Sequence, residues 1–467
     1  MLALCWPAAA LLLHAAFYAP ASQNDTAALD RKFQSAVAHF DSGQYAAAQQ
    51  ELETLVKDLP DRFEVQELMG LVYSAEGRDE KATAPLEQAV RLHPEDGAAR
   101  NNLATNLTKV GKMPLAEKEF RKVVELEPGS YDANHNLGEF YVRAGKIAAA
   151  IPYLEKAQSE NPASYDNGFD LSLSYEQAQR LPDARRQIQN LLKQKDTAEL
   201  HNLLAEVEEK AGDYLAAANE YQTAAHMEPT ESNIFDWGSE LLLHQTWKPA
   251  IEVFSAGQNR YPNSSRIAVG LGIAFYLAGS YDDAVKALLK ATDLDSSSPQ
   301  AYYFLNKVEG QAPNQADEVI ERFRRFADAR PRDAQAAFYY AMSLWKGRRS
   351  GTSQAYLDQV ESLLKKSIAL DPSFAEAHLQ LGNLRSERRQ YAEAISEYRQ
   401  ALKLSPNIPD AHFRLGQAYS RTGKKDLAQQ EFQLHQKLYE RHLAEIDKQR
   451  SEIQQFVYST KGAPAGQ

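Results

Sequence analysis

Histidines and carboxylates are the side chains of this protein that could do chemistry, since the chain has only one cysteine. Among 11 histidines, His201, His378 and His412 occupy equivalent positions in helical patterns that recur along the sequence. Imidazoles placed one above another could bind a metal ion. The sequence sets no cysteine or carboxylate beside them, so packing against a neighbouring helix is the better interpretation. We therefore predict no metal site and no cofactor.

No catalytic motif stands out in the sequence. The chain lacks the H-E-x-x-H of zinc proteases and the G-x-S-x-G of serine hydrolases. Gly270 and Gly272 fall within a helical pattern, where they cannot form a phosphate-binding loop. The net charge of −11 disfavours nucleic-acid binding, which calls for a basic surface. These observations predict a protein without enzymatic activity and without a nucleic-acid partner.

The elements that must position any site recur every 34 residues. Three sets of residues advance together by this period: Gly77, Gly111 and Gly145; Ala82, Ala116 and Ala150; and Pro94, Pro128 and Pro162. Two amphipathic helical patterns fill each interval. A fixed period of this length predicts a solenoid of stacked helix pairs.

One complete copy of the pattern consists of Leu137, Gly138, Tyr141, Gly145, Ala150, Leu154, Ala157 and Pro162. It resembles the tetratricopeptide repeat, and about twelve copies cover most of the chain. The resemblance implies an all-α, right-handed superhelical solenoid of antiparallel helix pairs. The ninth repeat, from Gln300 to Pro331, and the tenth, with extra residues at Gly347 to Ser353, are irregular.

Both ends of the chain differ from the repeats. Residues 1–21 combine an apolar run with Ala19-Pro20-Ala21, which is typical of a cleaved signal peptide, although no Lys or Arg precedes the run. An uncleaved N-terminal anchor is the alternative. We predict repeats over 22–436, a capping helix over 437–458 and a disordered tail over 459–467. The mature protein would be exported, either periplasmic or secreted, without a transmembrane span.

The resemblance implies that the first helix of each pair lines a concave groove. In the early repeats the positions that face it are polar, for example Glu67, Asn101 and His135. In the seventh to tenth repeats the same positions are large and apolar, and exposed apolar patches mark interaction sites. We predict a partner-binding groove formed by Phe235, Leu242, Val269, Ile273, Tyr276, Tyr303, Phe338, Met342 and Trp345. Burial of these residues by tight superhelical curvature, or by the irregular ninth repeat, is the alternative.

Basic residues also cluster at the turns between paired helices. In the C-terminal repeats they predict a basic edge consisting of Arg348, Arg349, Arg388, Arg389, Lys424 and Lys425. Cations also stabilise helix C-termini, so structure alone explains part of this pattern. We expect a protein-binding scaffold of the cell envelope or secreted space, with a protein or peptide partner. The alternatives are an envelope glycan or lipid assembly factor that binds an anionic partner, or an accessory subunit of an enzyme complex. The sequence leaves the partner and the oligomeric state open.

Overall fold

The structure is a computed structural model that describes residues 23–348 and 354–462. The predicted signal peptide, Arg349 and the last five residues lie outside this part of the chain. The described residues form α-helices and two short 3-10 turns, with no β-strand. None of the described helices is both long and apolar enough to cross a membrane. The all-α prediction is confirmed.

The helices belong to two compact units, which meet in sequence at Asp196 and Thr197. In the first unit they are α1 (Gln23–Asp41), α2 (Tyr45–Asp58), α3 (Phe63–Ala75), α4 (Asp79–Leu92), α5 (Gly97–Lys109), α6 (Met113–Leu126), α7 (Tyr131–Arg143), α8 (Ile147–Glu160), α9 (Tyr165–Gln177) and α10 (Leu181–Gln194). Each helix packs against the next one, as stacked helix pairs require.

In the second unit the helices are α11 (Ala198–Ala211), α12 (Tyr214–Met227), α13 (Glu231–Leu243), α14 (Trp247–Arg260), α15 (Ser265–Leu277), α16 (Tyr281–Leu294), α17 (Pro299–Val308), α18 (Ala316–Ala329), α19 (Ala334–Lys346), α20 (Gln354–Leu370), α21 (Ala375–Glu387), α22 (Tyr391–Leu404), α23 (Pro409–Arg421) and α24 (Lys425–Gly462). The two 3-10 turns, Glu309–Gln311 and Pro313–Gln315, separate α17 from α18 and account for the irregular ninth repeat.

Outside the ninth and tenth repeats, the turn inside each pair contains a left-handed residue. After α3, Gly77 has a φ of 71°, and the next amide, that of Arg78, donates to the carbonyl of Tyr73 at 2.9 Å. Glycine adopts this conformation without steric cost. Three turns have another residue there: Gln179, Gln245 and Arg389, with φ values of 58°, 55° and 62°. The turn geometry is therefore kept even where its preferred residue is missing.

Close approach of the two helices in a pair depends on a glycine opposite a large side chain. A Cβ atom added to Gly138 in α7 would lie 2.6 Å from Cδ2 of Leu154 in α8. The same relationship joins Gly382 to Tyr398 and Gly416 to Phe432. Ala116 and Ala150, on the second helices, are fully buried. Small residues thus set the spacing within each pair, as the repeat pattern predicts.

The C-terminal boundaries differ from the prediction. α24 is one helix from Lys425 to Gly462, so the second helix of the last repeat continues through the predicted cap without a break at 437. The predicted tail begins inside this helix, because 459–462 are helical. No proline or glycine interrupts the sequence between Lys425 and Gly462, so nothing ends the helix earlier.

Candidate partner-binding surface

The nine apolar residues predicted to form the groove all lie on α13, α15, α17 and α19, the first helices of their pairs in the second unit. Val269, Phe338 and Met342 are only 5%, 7% and 7% exposed, so their predicted exposure is wrong. Tyr303 is 44% exposed. The other five, Phe235, Leu242, Ile273, Tyr276 and Trp345, are half-buried. The structure therefore shows separate accessible aromatic residues instead of a continuous apolar groove.

Contacts between successive first helices explain this burial. α13 packs against α15, α15 against α17, and α17 against α19. The ring of Phe338 lies 4.9 Å from that of Phe374, which precedes α21, and Met342 belongs to the same hydrophobic core. Val269 packs among Ala268, Ala291 and Ala301. These three residues are thus buried within the protein, as the alternative interpretation expected.

Three of the aromatic residues that remain accessible carry a cation on the ring face. The guanidinium of Arg266 lies 3.7 Å from the ring centroid of Phe235. Lys307 lies 5.3 Å from the ring of Tyr303, and Arg348 lies 5.7 Å from that of Trp345. Such contacts are favourable and keep long side chains in place. The row of first helices α13, α15, α17 and α19 therefore presents aromatic and cationic groups together.

A concave pocket of about 630 Å³ lies at the end of this row of helices, beside Trp345 of α19. It is formed by α19, α21, α22 and α23, and its lining is polar apart from two aromatic rings. The lining residues are Trp345, Lys346, Arg348, Gln380, Asn383, Ser386, Glu387, Tyr398 and Arg414. The lining is thus more polar than that of a typical small-molecule pocket, which is mostly apolar with a few convergent polar groups.

A hydrogen-bond network fixes the floor of the pocket. The hydroxyl of Tyr398 donates to Oδ1 of Asn383 at 2.9 Å, and Nδ2 of Asn383 donates to Oε1 of Gln380 at 3.1 Å. Burial raises the pKa of Tyr398 to about 12, so its hydroxyl stays protonated. Arg348 pairs with Glu387 at 3.1 Å, and Arg414 pairs with Asp410 at 3.3 Å. Hydrogen bonds thus hold the floor, and two guanidinium groups stand at its sides.

Among the residues predicted from the sequence, only Trp345 and Arg348 meet in this pocket. The prediction missed Gln380, Asn383, Ser386, Tyr398 and Arg414. A signal was present for two of them. Asn383 and Ser386 have the same positions in α21 as Met342 and Trp345 have in α19, once the insertion before α20 is counted. Continuing the groove positions by one repeat would have identified them.

The predicted basic edge is interrupted by acidic partners. Arg388 is largely buried and pairs with Asp358 at 2.7 Å and with Glu361 at 2.5 Å. Arg348 pairs with Glu387, as described above. Arg389, Lys424 and Lys425 are exposed at their turns. Carboxylates from neighbouring helices therefore neutralise part of the predicted basic edge, so the described residues form no continuous cationic surface.

The equivalent histidines are paired with glutamates. Nδ1 of His378 lies 2.6 Å from Oε2 of Glu397, and Nδ1 of His412 lies 2.6 Å from Oε2 of Glu431. His201 and Glu220 form the same pair. Each glutamate follows its histidine by 19 residues, on the second helix of the same repeat. The sequence interpretation overlooked these carboxylates, and the pairs lock the two helices of a repeat together.

Polar residues on the first helices of the first unit bind one another across repeats. Nδ2 of Asn102 donates to Oε1 of Glu67 at 3.1 Å, and Nδ2 of Asn136 donates to Oδ1 of Asn101 at 2.9 Å. Burial raises the pKa of Glu67 to about 7, and the charge of Asp96 adds to the effect. This polar ladder, Asn102–Glu67 and Asn136–Asn101, joins three successive repeats.

Models of the tetratricopeptide repeat match the chain over 33–97, 101–165, 141–207, 236–299, 363–396 and 409–441, and a model described as TPR repeat matches 385–423. No curated protein matches the sequence. Solved structures that the chain matches include yeast Tom70, at 13% identity, with 86% of this chain and 97% of that chain covered and a TM-score of 0.36. Another is the C-terminal part of a TPR repeat-containing protein from Cytophaga hutchinsonii, at 15% identity, 58% and 99% coverage and a TM-score of 0.42.

Proposed function

Because the chain belongs to the tetratricopeptide-repeat family, we propose that it is a non-enzymatic scaffold that binds a segment of a partner protein in the pocket at Trp345. The observation that supports this proposal is the combination of groups in that pocket. Trp345 offers an apolar face, and aromatic and arginine side chains dominate the binding energy of protein interfaces. The carboxamides of Gln380 and Asn383 can bond to the backbone of an extended peptide.

The charges of the pocket define the chemistry of the partner. Arg348 and Arg414 stand at its sides, and guanidinium groups form strong hydrogen bonds with carboxylates. Both are already held by one acidic neighbour, so a partner carboxylate would share or displace that contact. An extended segment with an acidic residue beside an apolar one fits this arrangement. This partner is a protein or peptide, in keeping with the absence of a continuous basic surface among the described residues.

The proposal includes an extracytoplasmic location. Its support is the apolar run from Leu2 to Tyr18 followed by Ala19-Pro20-Ala21. The alternative of an envelope factor that binds an anionic glycan or lipid has less support, since Arg348 and Arg388 are paired with carboxylates. An accessory role in an enzyme complex would use the same pocket for a different partner.

Selection of peptides from a random display library on the full chain tests the pocket directly. Peptides that bind should lose at least tenfold in affinity to Trp345→Ala and to Arg414→Glu, measured by fluorescence polarisation. The matched control is Arg421→Glu, which changes an exposed arginine on the same helix, outside the pocket. If the selected peptides bind all variants equally, the pocket is not the binding site and the proposal fails.

A further inference from the structure

Two carboxylates and an imidazole meet where α11 and α13 end, away from the pocket at Trp345. Glu209 lies in the last turn of α11, Glu240 lies in the last turn of α13, and His244 follows α13 directly. Nε2 of His244 lies 3.1 Å from Oε2 of Glu209 and 3.2 Å from Oε1 of Glu240. All three potential ligand atoms lie within 4.8 Å of one another. We call these residues the α11–α13 cluster.

The cluster carries an excess of negative charge in a partly buried place. Glu240 is only 5% exposed, and its Oε1, although 3.2 Å from Nε2 of His244, accepts no well-aligned hydrogen bond from any residue that the structure describes. Burial raises the pKa of Glu209, and the charge of Glu240 adds to the effect. The C-terminal ends of two helices add partial negative charge at the same point. A buried carboxylate of this kind needs a cation or a proton to compensate its charge.

We propose that Glu209, Glu240 and His244 bind one Zn²⁺ ion. Imidazole nitrogen and carboxylate oxygen are usual zinc ligands, with bonds of about 2.0–2.2 Å. In a tetrahedral site these bond lengths place neighbouring ligand atoms about 3.3–3.5 Å apart. The two separations from Nε2 of His244, 3.1 and 3.2 Å, lie just below this range. Three protein ligands leave the fourth position to water or to a ligand from outside.

The supporting contacts hold the ligands in place before the ion binds. Glu240 and His244 are four residues apart at the end of α13, and the amide of His244 donates to the carbonyl of Glu240 at 3.2 Å. The ring of Tyr214 stacks on the imidazole, with 4.2 Å between the centroids. An ion here would join α11 to α13 and so tie the sixth repeat to the seventh.

This inference revises the sequence-based prediction that the chain has no metal site. That prediction considered His201, His378 and His412, each of which the structure pairs with the glutamate 19 residues later. The α11–α13 cluster has a second carboxylate, and Glu209 and His244 are 35 residues apart in neighbouring repeats. A search for motifs of short spacing does not find such a set of ligands, because the residues come together only where neighbouring repeats pack.

Metal binding to the untagged full chain tests the proposal. After treatment with EDTA, the protein is dialysed against micromolar ZnCl₂, and bound zinc is measured by mass spectrometry and titration calorimetry. We expect one equivalent of Zn²⁺ per chain and a zinc-dependent rise in Tm. Glu240→Gln and Glu209→Gln should each weaken binding at least tenfold and abolish the rise in Tm. Glu209→Gln changes a partly exposed residue, so it keeps the test valid if Glu240→Gln fails to fold.

The matched control is Glu397→Gln, which neutralises the carboxylate of a single histidine–glutamate pair and should bind Zn²⁺ like the unchanged protein. Wild-type protein that binds less than one equivalent would overturn the proposal. So would equal zinc binding by Glu240→Gln, Glu209→Gln and the unchanged chain, since binding would then lie elsewhere.

Discussion

The hydroxyl of Tyr398 donates a hydrogen bond to Oδ1 of Asn383 at 2.9 Å, while its ring packs directly on Gly382. One side chain thus closes a helix pair and reaches the floor of the pocket at Trp345. Phe432 packs on Gly416 in the same way one repeat later, without a hydroxyl. Packing and pocket chemistry are therefore separable at this position.

Tyr398→Phe should keep the fold and cost about 1 kcal/mol of stability, because one buried hydrogen bond is lost. Affinity for peptides selected on the pocket should fall, since Asn383 loses its fixed orientation. Urea unfolding and fluorescence polarisation measure the two effects. Phe432→Tyr, at the equivalent position, is the control and should leave peptide binding unchanged. Unaltered peptide affinity in Tyr398→Phe would show that the network does not support binding.

The non-glycine turns carry backbone strain that can be removed. Gln179 is exposed with a φ of 58°, and left-handed backbone costs a non-glycine residue about 1–2 kcal/mol. Gln179→Gly should therefore stabilise the protein by a few tenths to about 1 kcal/mol, after the greater entropy of unfolded glycine is subtracted. Gly145→Ala, at the equivalent turn of the preceding repeat, should lower the stability of the protein by about 1 kcal/mol. Urea unfolding measures both changes. A lower urea midpoint for Gln179→Gly, or a higher one for Gly145→Ala, would contradict this explanation.

Glu67 makes stability depend on pH. Its folded-state pKa is raised to about 7 from 4.5, so the folded state binds more protons than the unfolded state between these values. Stability should therefore fall as pH rises from 4.5 to 7. Glu67→Gln keeps the acceptor for Asn102 and should gain on the order of 2–3 kcal/mol at pH 8, with little change at pH 4.

The control for this effect is Glu64→Gln on the same helix. Glu64 pairs with Arg62 at 3.4 Å, so its neutralisation removes an attraction instead of a burial cost. Urea unfolding at pH 4 and pH 8 compares the two variants. Equal stability of Glu67→Gln and wild type at pH 8 would refute the assigned electrostatic cost.

Ala116→Leu should overpack α5 against α6. Ala116 is fully buried, and added volume in a packed core costs about 1–3 kcal/mol. Thermal melting should show a lower Tm for this variant. Ala148→Leu, at an exposed position of α8, should melt like the unchanged protein. An unchanged Tm for Ala116→Leu would mean that the two helices do not approach as described.

The mature chain should begin at Ser22. The prediction rests on the apolar run and on Ala19-Pro20-Ala21 before it. N-terminal sequencing of protein expressed from the full sequence with its own start checks the site. Intact Met1 on protein found in the cytosol would refute both the cleavage and the exported location.

The sequence predicts positions along a helix better than exposure to solvent. Gly138, Ala116 and Gly77 have roles that local spacing determines, and the structure places them as expected. Phe338 and Met342 lie on the predicted helix, but Phe374 and the irregular ninth and tenth repeats enclose them. The pocket draws Tyr398 from a second helix, and the α11–α13 cluster joins Glu209 to His244 across a repeat. Such contacts depend on how neighbouring repeats pack, which a periodic pattern does not report.

The polar ladder of the first unit has a mechanical consequence. Asn102–Glu67 and Asn136–Asn101 each join adjacent repeats only, whereas glycine packing such as that of Gly138 on Leu154 acts within one repeat. In repeat proteins each unit contacts only its neighbours. Under a stretching force these interfaces would yield one after another while the helix pairs stayed closed.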